Sequence, residues 1–325
     1  MKKILIIILT LLICTGCYDY KEINDLAIIS AIGIDYENDE YIITLEILND
    51  QIDKASSKIT SYTKTGRGKT LTSAIENAAD KLSKELIFNH IKLMILSKSI
   101  VETKFDNIID LFLRNTYFRE NFYVISSTDT KPEDLLNHTT NESPIASTAI
   151  TDTLESISYS SNTNILKKFD EIIEEVITYG IDTCFSNITL KNDEFIVDGM
   201  AIFNNYDYIG NLDNEYVKIY NLLTDNFDRP TYTINYDNLS FTVAINNGKL
   251  NTEIKKGTIN VTGNLMGRIL DDDPKFNIRD PKNLEKIDND FTNLLNDKIK
   301  EFIKILQDNN CDILGITKNY YKNTR

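Results

Sequence analysis

Apolar residues recur along this chain at spacings of two and of about 3.6, and the switches between them predict its elements. Leu26 to Asp35 and Tyr41 to Leu48 read as strands, with Glu37-Asn38-Asp39-Glu40 between them as a hairpin loop. Lys58 to Lys64 is a third strand, ending in a turn at Gly66-Arg67-Gly68. Thr70 then caps a helix whose apolar face carries Leu71, Ile75, Ala78, Leu82 and Leu86. Ile91, Leu93 and Ile95 alternate with Lys92, Met94 and Leu96, as in a strand covered on both sides. Phe105, Ile108, Ile109 and Phe112 mark an amphipathic helix, and Phe122 to Ser127 a further strand. This β-α-β-α-β order calls for right-handed crossovers and a parallel core, which the early hairpin makes mixed.

Ser143-Pro144 has the cap-and-proline order of a helix start, a Ser- and Asn-rich loop covers 158–164, and a second helix spans Lys167 to Thr178. Strands at Thr183–Leu190 and Phe195–Phe203 lead to a turn at Asn204-Asn205. The remainder is richer in strands. Leu239–Ile245, Asn246-Asn247-Gly248 and Leu250–Lys255 read as a hairpin, and Lys256-Gly257 turns into a strand from Thr258 to Ile269. Asp280-Pro281 opens the longest helix, with a stripe of Leu284, Ile287, Phe291, Leu294, Leu295, Phe302 and Leu306. The expected class is α+β and multidomain: a mixed-sheet N-terminal domain with crossover helices, then a strand-rich C-terminal domain covered by a long helix. The boundary falls near residues 191–204, giving domains of 26–197 and 198–325.

The start of the chain has a different pattern. Lys2 and Lys3 precede an apolar run from Ile4 to Ile13, broken only by Thr10. A spanning helix needs ~20 apolar residues, so the run reads as an export signal at 1–16. Cys14-Thr15-Gly16-Cys17 resembles a bacterial lipobox, with Cys14 where Leu is usual. That resemblance implies cleavage before Cys17 and diacylglycerol on its thiol. Residues 17–25 then form a lipidated tether.

Composition narrows the functions. The formal charge is −14, with 35 basic and 49 acidic residues, and removing 1–16 takes away two lysines and no acid. Binding to nucleic acid, which needs basic surface, is disfavoured. Anionic lipid would repel such a chain, so the lipid anchor and not charge must hold it to a membrane. Past residue 16 no stretch is apolar enough to span. Apart from Cys17 itself, only Cys184 and Cys311 remain after cleavage, which excludes a disulfide scaffold and suggests two buried thiols.

Candidate chemistry is thin. Gly66-Arg67-Gly68-Lys69-Thr70 lies before a helix, where phosphates bind, but a P-loop needs Gly at position 63, which is Thr63. It reads as a glycine turn and a cap. Zinc needs three or four ligands, and His90, His138, Cys184 and Cys311 show no such spacing. Asp271-Asp272-Asp273 lacks the order of a calcium loop. No G-x-S-x-G elbow occurs, and no motif joins a Cys to a His. No catalytic, metal or cofactor-binding residue is nominated, and no cofactor is expected.

The chain resembles the spore-germination C-subunit lipoproteins, the Ger(x)C family. The resemblance starts at Cys17-Tyr18-Asp19, Lys21-Glu22-Ile23 and Leu26 to Gly33-Ile34-Asp35, with Tyr18 in place of the usual Trp. It continues through Gly68 to Ala79, Phe88-Asn89-His90, Leu113-Arg114-Asn115, Asp198 to Phe203 and Ile209-Gly210-Asn211-Leu212. It ends at Gln307 and Asp312-Ile313-Leu314-Gly315-Ile316. The resemblance implies a lipid-anchored subunit of a nutrient germinant receptor, on the outer face of the spore inner membrane. Its partners would be a multi-span subunit and a transporter-like subunit, and no catalytic site is carried over. Family members run on with a further helix and strand, whereas Arg325 follows soon after Tyr320-Tyr321-Lys322. The last sheet is therefore expected to lack a strand and to expose an edge. The alternatives are a lipid-anchored binding protein for a solute or wall fragment, and, third, a wall enzyme. A large apolar pocket between the domains would favour the binding protein.

Overall fold

A computed structural model describes residues 25–49, 59–114, 119–227, 229–236, 239–271 and 277–324. The chain is α+β, with a large mixed sheet, a smaller antiparallel sheet and helices on both. Cys17 and the rest of the lipobox, the 17–24 tether, Lys58, Asn115, Asp272 and Asp273 lie outside the described residues.

The hairpin forms as expected. Strand β1 (Leu26–Glu37) pairs antiparallel with β2 (Glu40–Leu48) around Asn38-Asp39. Both turn residues have positive φ, 53° and 62°, which Asn and Asp tolerate best after Gly. β3 (Ser61–Gly68) pairs with β2 and runs through Gly66 to Gly68, which is strand and not the expected turn. The glycines have a packing role. A Cβ on Gly66 would collide with the backbone of Ala74 and Ala78, and one on Gly68 with Ser73 and Ala74. Those residues lie on α1 (Leu71–Ala79), which rests directly on β3. The helix stops before Leu82 and Leu86, and Leu86 instead joins β4 (Glu85–Ile87), parallel to the start of β1. Sheet pairing has overridden the helical spacing there.

β5 (Leu93–Ser97) lies beside β1 and is buried along its whole length. It leads through α2 (Lys98–Thr103) and α3 (Phe105–Arg114) to the parallel strand β6 (Tyr123–Ser127). Phe105, Ile108, Ile109 and Phe112 are the buried stripe of α3, as the spacing predicts. Two more helices, α4 (Pro132–Asn137) and α5 (Ala146–Ser160), cross the other face of the sheet. Ser143 does not cap α5. Its hydroxyl closes a turn onto Ile145, and the helix N-terminus is served by Glu46 of β2. That fully buried carboxylate accepts from the Ser147 amide at 3.3 Å and from the hydroxyls of Ser30 (2.7 Å) and Ser61 (2.9 Å). A carboxylate at the positive end of a helix is favourable, and the hydroxyls satisfy its remaining lone pairs.

After α6 (Phe169–Ile177), the sheet continues with β7 (Cys184–Lys191), β8 (Glu194–Asn204) and β9 (Asp207–Leu212). Its order is β3-β2-β1-β5-β6-β7-β8-β9, with β4 beside β1. β8 serves two cores. Ala201 and Phe203 face the first, together with Phe185 and Phe105, while Met200 and Ile202 face the second, together with Cys184. Residue 198 falls inside this strand.

The second core is closed by α7 (Asn214–Leu223), a sheet of β10 (Thr231–Tyr236), β11 (Leu239–Lys255) and β12 (Thr258–Asp271), and the long helix α8 (Pro281–Asp308). Asp280 caps α8 and Pro281 opens it, as read from sequence. The Asn246-Asn247-Gly248 hairpin does not exist: β11 runs straight through it as one strand with a register shift. Gly248 is there because β12 comes close, and a Cβ would collide with Asn264 and Leu265. The actual turn is Lys256-Gly257, with φ of 52° and 78°. A short helix, α9 (Ile316–Thr324), ends the described chain. No described helix is long and apolar enough to cross a membrane.

Candidate functional site

The sequence-level chemistry is dispersed by the fold. Thr70 and Ser73 form a reciprocal cap on α1, with the Ser73 amide donating to Thr70 Oγ1 at 3.1 Å, and Lys69 is exposed. The helix start is thus occupied by its own side chains, and the collisions at Gly66 and Gly68 explain the glycines without a phosphate. Lys69→Ala should therefore change stability by at most ~0.5 kcal/mol in a thermal melt. Saturable ATP binding that this substitution abolishes would refute that assignment. Cys184 and Cys311 are buried and unpaired with each other, as expected. His138 contacts the Asp193 carbonyl (2.9 Å) at the far end of the β7–β8 hairpin from Cys184, so no Cys-His pair forms there. Among the described residues no group of His, Cys, Asp and Glu is placed to hold a metal ion.

What the fold does assemble is a polar joint between the two cores, which sequence reasoning missed. Lys167, just before α6, is buried and bonds both carboxylate oxygens of Glu175, at 2.8 and 2.6 Å. Its Nζ also lies 3.9 Å from Sγ of Cys184, whose thiol in turn meets the hydroxyl of Tyr220 on α7. Burial pushes the Lys167 pKa down, but the net direction is upward, and the Glu175 carboxylate, paired and hydrogen-bonded with Nζ, holds the ammonium protonated. Burial raises the Cys184 and Tyr220 pKa values and keeps both groups neutral. The cluster therefore holds one ion pair and two neutral donors. Its only sequence trace is a lysine after Ile165-Leu166, too weak a signal to name.

A second clasp lies nearby. Asp182 accepts from the amides of Asn205 (2.8 Å) and Asp312 (2.7 Å), and its own amide donates to the Asp312 carbonyl. Asp312 in turn accepts from the amides of Ile316 and Thr317 at the start of α9. The Asp312–Ile316 segment singled out in sequence is thus a helix cap locked to the foot of β7.

The third feature is an open edge. β12 pairs only with β11 among the described residues, and most of its side chains are exposed. Between it and α8 runs a groove of about 520 Å³ lined by Leu265, Ile269, Leu284 and Phe291. Gly263 and Gly267 of β12 also line it, and a Cβ on Gly263 would collide with Lys249 and Leu250 of β11, so close strand approach accounts for that glycine. Main-chain donors and acceptors beside an apolar groove can receive an added strand. The groove lies within the second half and not between the halves.

Comparison with known proteins places this architecture. Residues 19–190 match the model of a family described as spore germination protein N-terminal domain. Residues 198–325 match one described as spore germination B3/GerAC like, C-terminal. Spore germination protein KC of Bacillus subtilis is 31% identical over 159 residues, covering 46% of this chain and 39% of that protein. Spore germination protein A3 of Bacillus subtilis is 28% identical over 209 residues, 62% and 55% of the two chains. GerQC of Bacillus cereus is 21% identical over 241 residues, 71% and 64% of the two. The chain thus spans under two thirds of the length of these curated relatives. The crystal structure of the GerBC protein shares the fold, with a TM-score of 0.52 at 15% identity, over 87% of this chain and 84% of that one.

Proposed function

This chain belongs to the Ger(x)C spore germination protein family, and from that premise we propose that it is the lipid-anchored C subunit of a nutrient germinant receptor. The carrying observation is that two family models, end to end, take in residues 19–190 and 198–325. We propose residues 1–16 as a signal peptide, 17–25 as the tether from a lipidated Cys17, and 26–197 and 198–325 as the two sequence units.

In this reading the subunit acts by assembly and not by catalysis, on the outer face of the spore inner membrane. Its partners are a multi-span subunit and a transporter-like subunit. The β12 edge supports the reading, because among the described residues it offers unpaired backbone beside apolar surface. A solute-binding role draws less support, since the groove opens along a strand edge, whereas ligand pockets enclose most of what they bind.

Two experiments test the proposal. Tagged protein from spore membranes should co-purify with the two membrane subunits, and its recovery alone would refute the assembly. Cys17→Ala should abolish incorporation of labelled fatty acid and leave uncleaved or released precursor. Acyl label retained by that variant would sink the anchor.

A further inference from the structure

One end of the large sheet is defined by its parallel strands. Register places Ala31 of β1, Leu93 of β5, Tyr123 of β6 and Cys184 of β7 at one level. Leu26 lies five residues below that level, so the chain passes from the tether into the sheet at this end, its foot. Residues 177–183 lead into β7 at the foot, and the β8–β9 turn lies there too, since Cys184 pairs with Ile202 and the Asn205 amide bonds Asp182. α9 is fixed there by the Lys318 amide on the Gly180 carbonyl. The start of β3 is there as well, opposite the end of β2.

This end is unusually apolar. Tyr179 is 77% exposed and Ile177 65%. The Tyr321 ring lies 5.5 Å from that of Tyr179, tilted against it, and 5.8 Å from that of Tyr320, edge to face. Ile59 and Tyr206 are exposed at the same end. From β3 to β8 is six strand spacings, so the row is roughly 30 Å wide. Tyrosine combines an apolar ring with a polar tip and favours the level of lipid headgroups. Lys318, in the same region, is paired with Glu174. The eight residues between Cys17 and Leu26 reach ~30 Å at most, which keeps the foot within that distance of the anchor.

We propose that this foot is a lipid-facing surface, with Tyr179, Tyr320, Tyr321 and Ile177 resting at the headgroup level of a phospholipid bilayer. The inference rests on the anchor at Cys17. The surface would fix the orientation of the subunit, so that the tether does not leave it free to tumble. The β1–β2 turn then points away from the membrane.

The test imposes the tether chemically, which separates it from the lipidation reading. The chain from Cys17 onward is coupled through that thiol to maleimide lipid in phosphatidylcholine vesicles, Cys184 and Cys311 being buried. The chain has no tryptophan, so Tyr179→Trp and Lys69→Trp each supply a single reporter, at the foot and at the opposite end, where exposed Lys69 follows β3. With a headgroup spin-labelled lipid present, Tyr179→Trp should be quenched about twofold or more, as expected for a ring at that level, and Lys69→Trp should be unchanged. Adding Tyr320→Ser and Tyr321→Ser should weaken the quenching. An unquenched Tyr179→Trp on coupled vesicles, or equal quenching at both positions, would overturn the proposal. Failure of Cys17→Ala to lose acyl label would bear on the anchor alone.

Discussion

Expressed alone, residues 204–325 should not form a cooperatively melting monomer. The sequence leads to the expectation that such a fragment suffers from an unpaired sheet edge, and among the described residues β12 pairs only with β11. The structure adds a stronger reason. The second core takes Ile165, Cys184, Met200 and Ile202 from the preceding segments. Each large apolar side chain contributes ~1.5–3 kcal/mol when buried, and the sum is comparable with the whole stability of a domain. The fragment also lacks Asp182, which anchors the Asp312 cap, and Asn162 and Asn164, whose carbonyls accept from Asn221. Sedimentation and calorimetry on the fragment decide the matter. A monodisperse species with a sharp transition would show that the second half closes without β7 and β8. The intact described body should instead unfold as a unit, because Phe185 and Phe203 tie the same two strands into the first core.

Lys167→Ala should cost ~3–5 kcal/mol, the range for removing one member of a buried ion pair. The lysine side chain is 8% exposed and that of Glu175 17%, so solvent screens little of the effect. The penalty comes mainly from the Glu175 carboxylate left without its partner. Lys167→Met with Glu175→Leu should therefore recover most of the loss, since apolar residues of similar volume remove both charges together. Denaturant titration of the two variants separates the cases. Equal losses in both would mean that the ammonium acts through shape and not charge. The ammonium is protonated well above neutral pH, so the difference should be flat from pH 6 to 9. A raised lysine pKa stabilises below its unfolded value, 10.5, and that contribution is lost only as pH rises through the folded value.

Local sequence patterns account for part of this fold. The Asn38-Asp39 hairpin, the α3 stripe, the Asp280-Pro281 start of α8 and the parallel order of β1, β5 and β6 were all legible. Each depends on neighbours within a few positions, where side-chain period, capping and left-handed backbone preferences act. The family was legible too, because short motifs kept their order over the whole length. Elements whose local pattern was weak, α4, α7, β9 and β10, were missed.

What only tertiary structure decided involves partners far apart in the chain. Asn246-Asn247-Gly248 has the composition of a turn, yet β12 pairs with Asn247 and Gly248, with a register shift at Asn246, and holds the segment in one strand. Ser143 has the form of a cap, yet the α5 amide bonds Glu46, 101 positions away. Asp182 and Asp312, 130 positions apart, form one clasp, and Lys167 joins two cores that no spacing rule connects. Tyr179 and Tyr321 are far apart in sequence and meet only because α9 is fixed to the Gly180 carbonyl at the foot. Sequence alone determined the class, the family and the reading of a lipidated start. The joint, the open edge and the foot exist because burial and backbone hydrogen bonding are satisfied across the whole fold, and a local pattern yields wherever a distant partner satisfies them better.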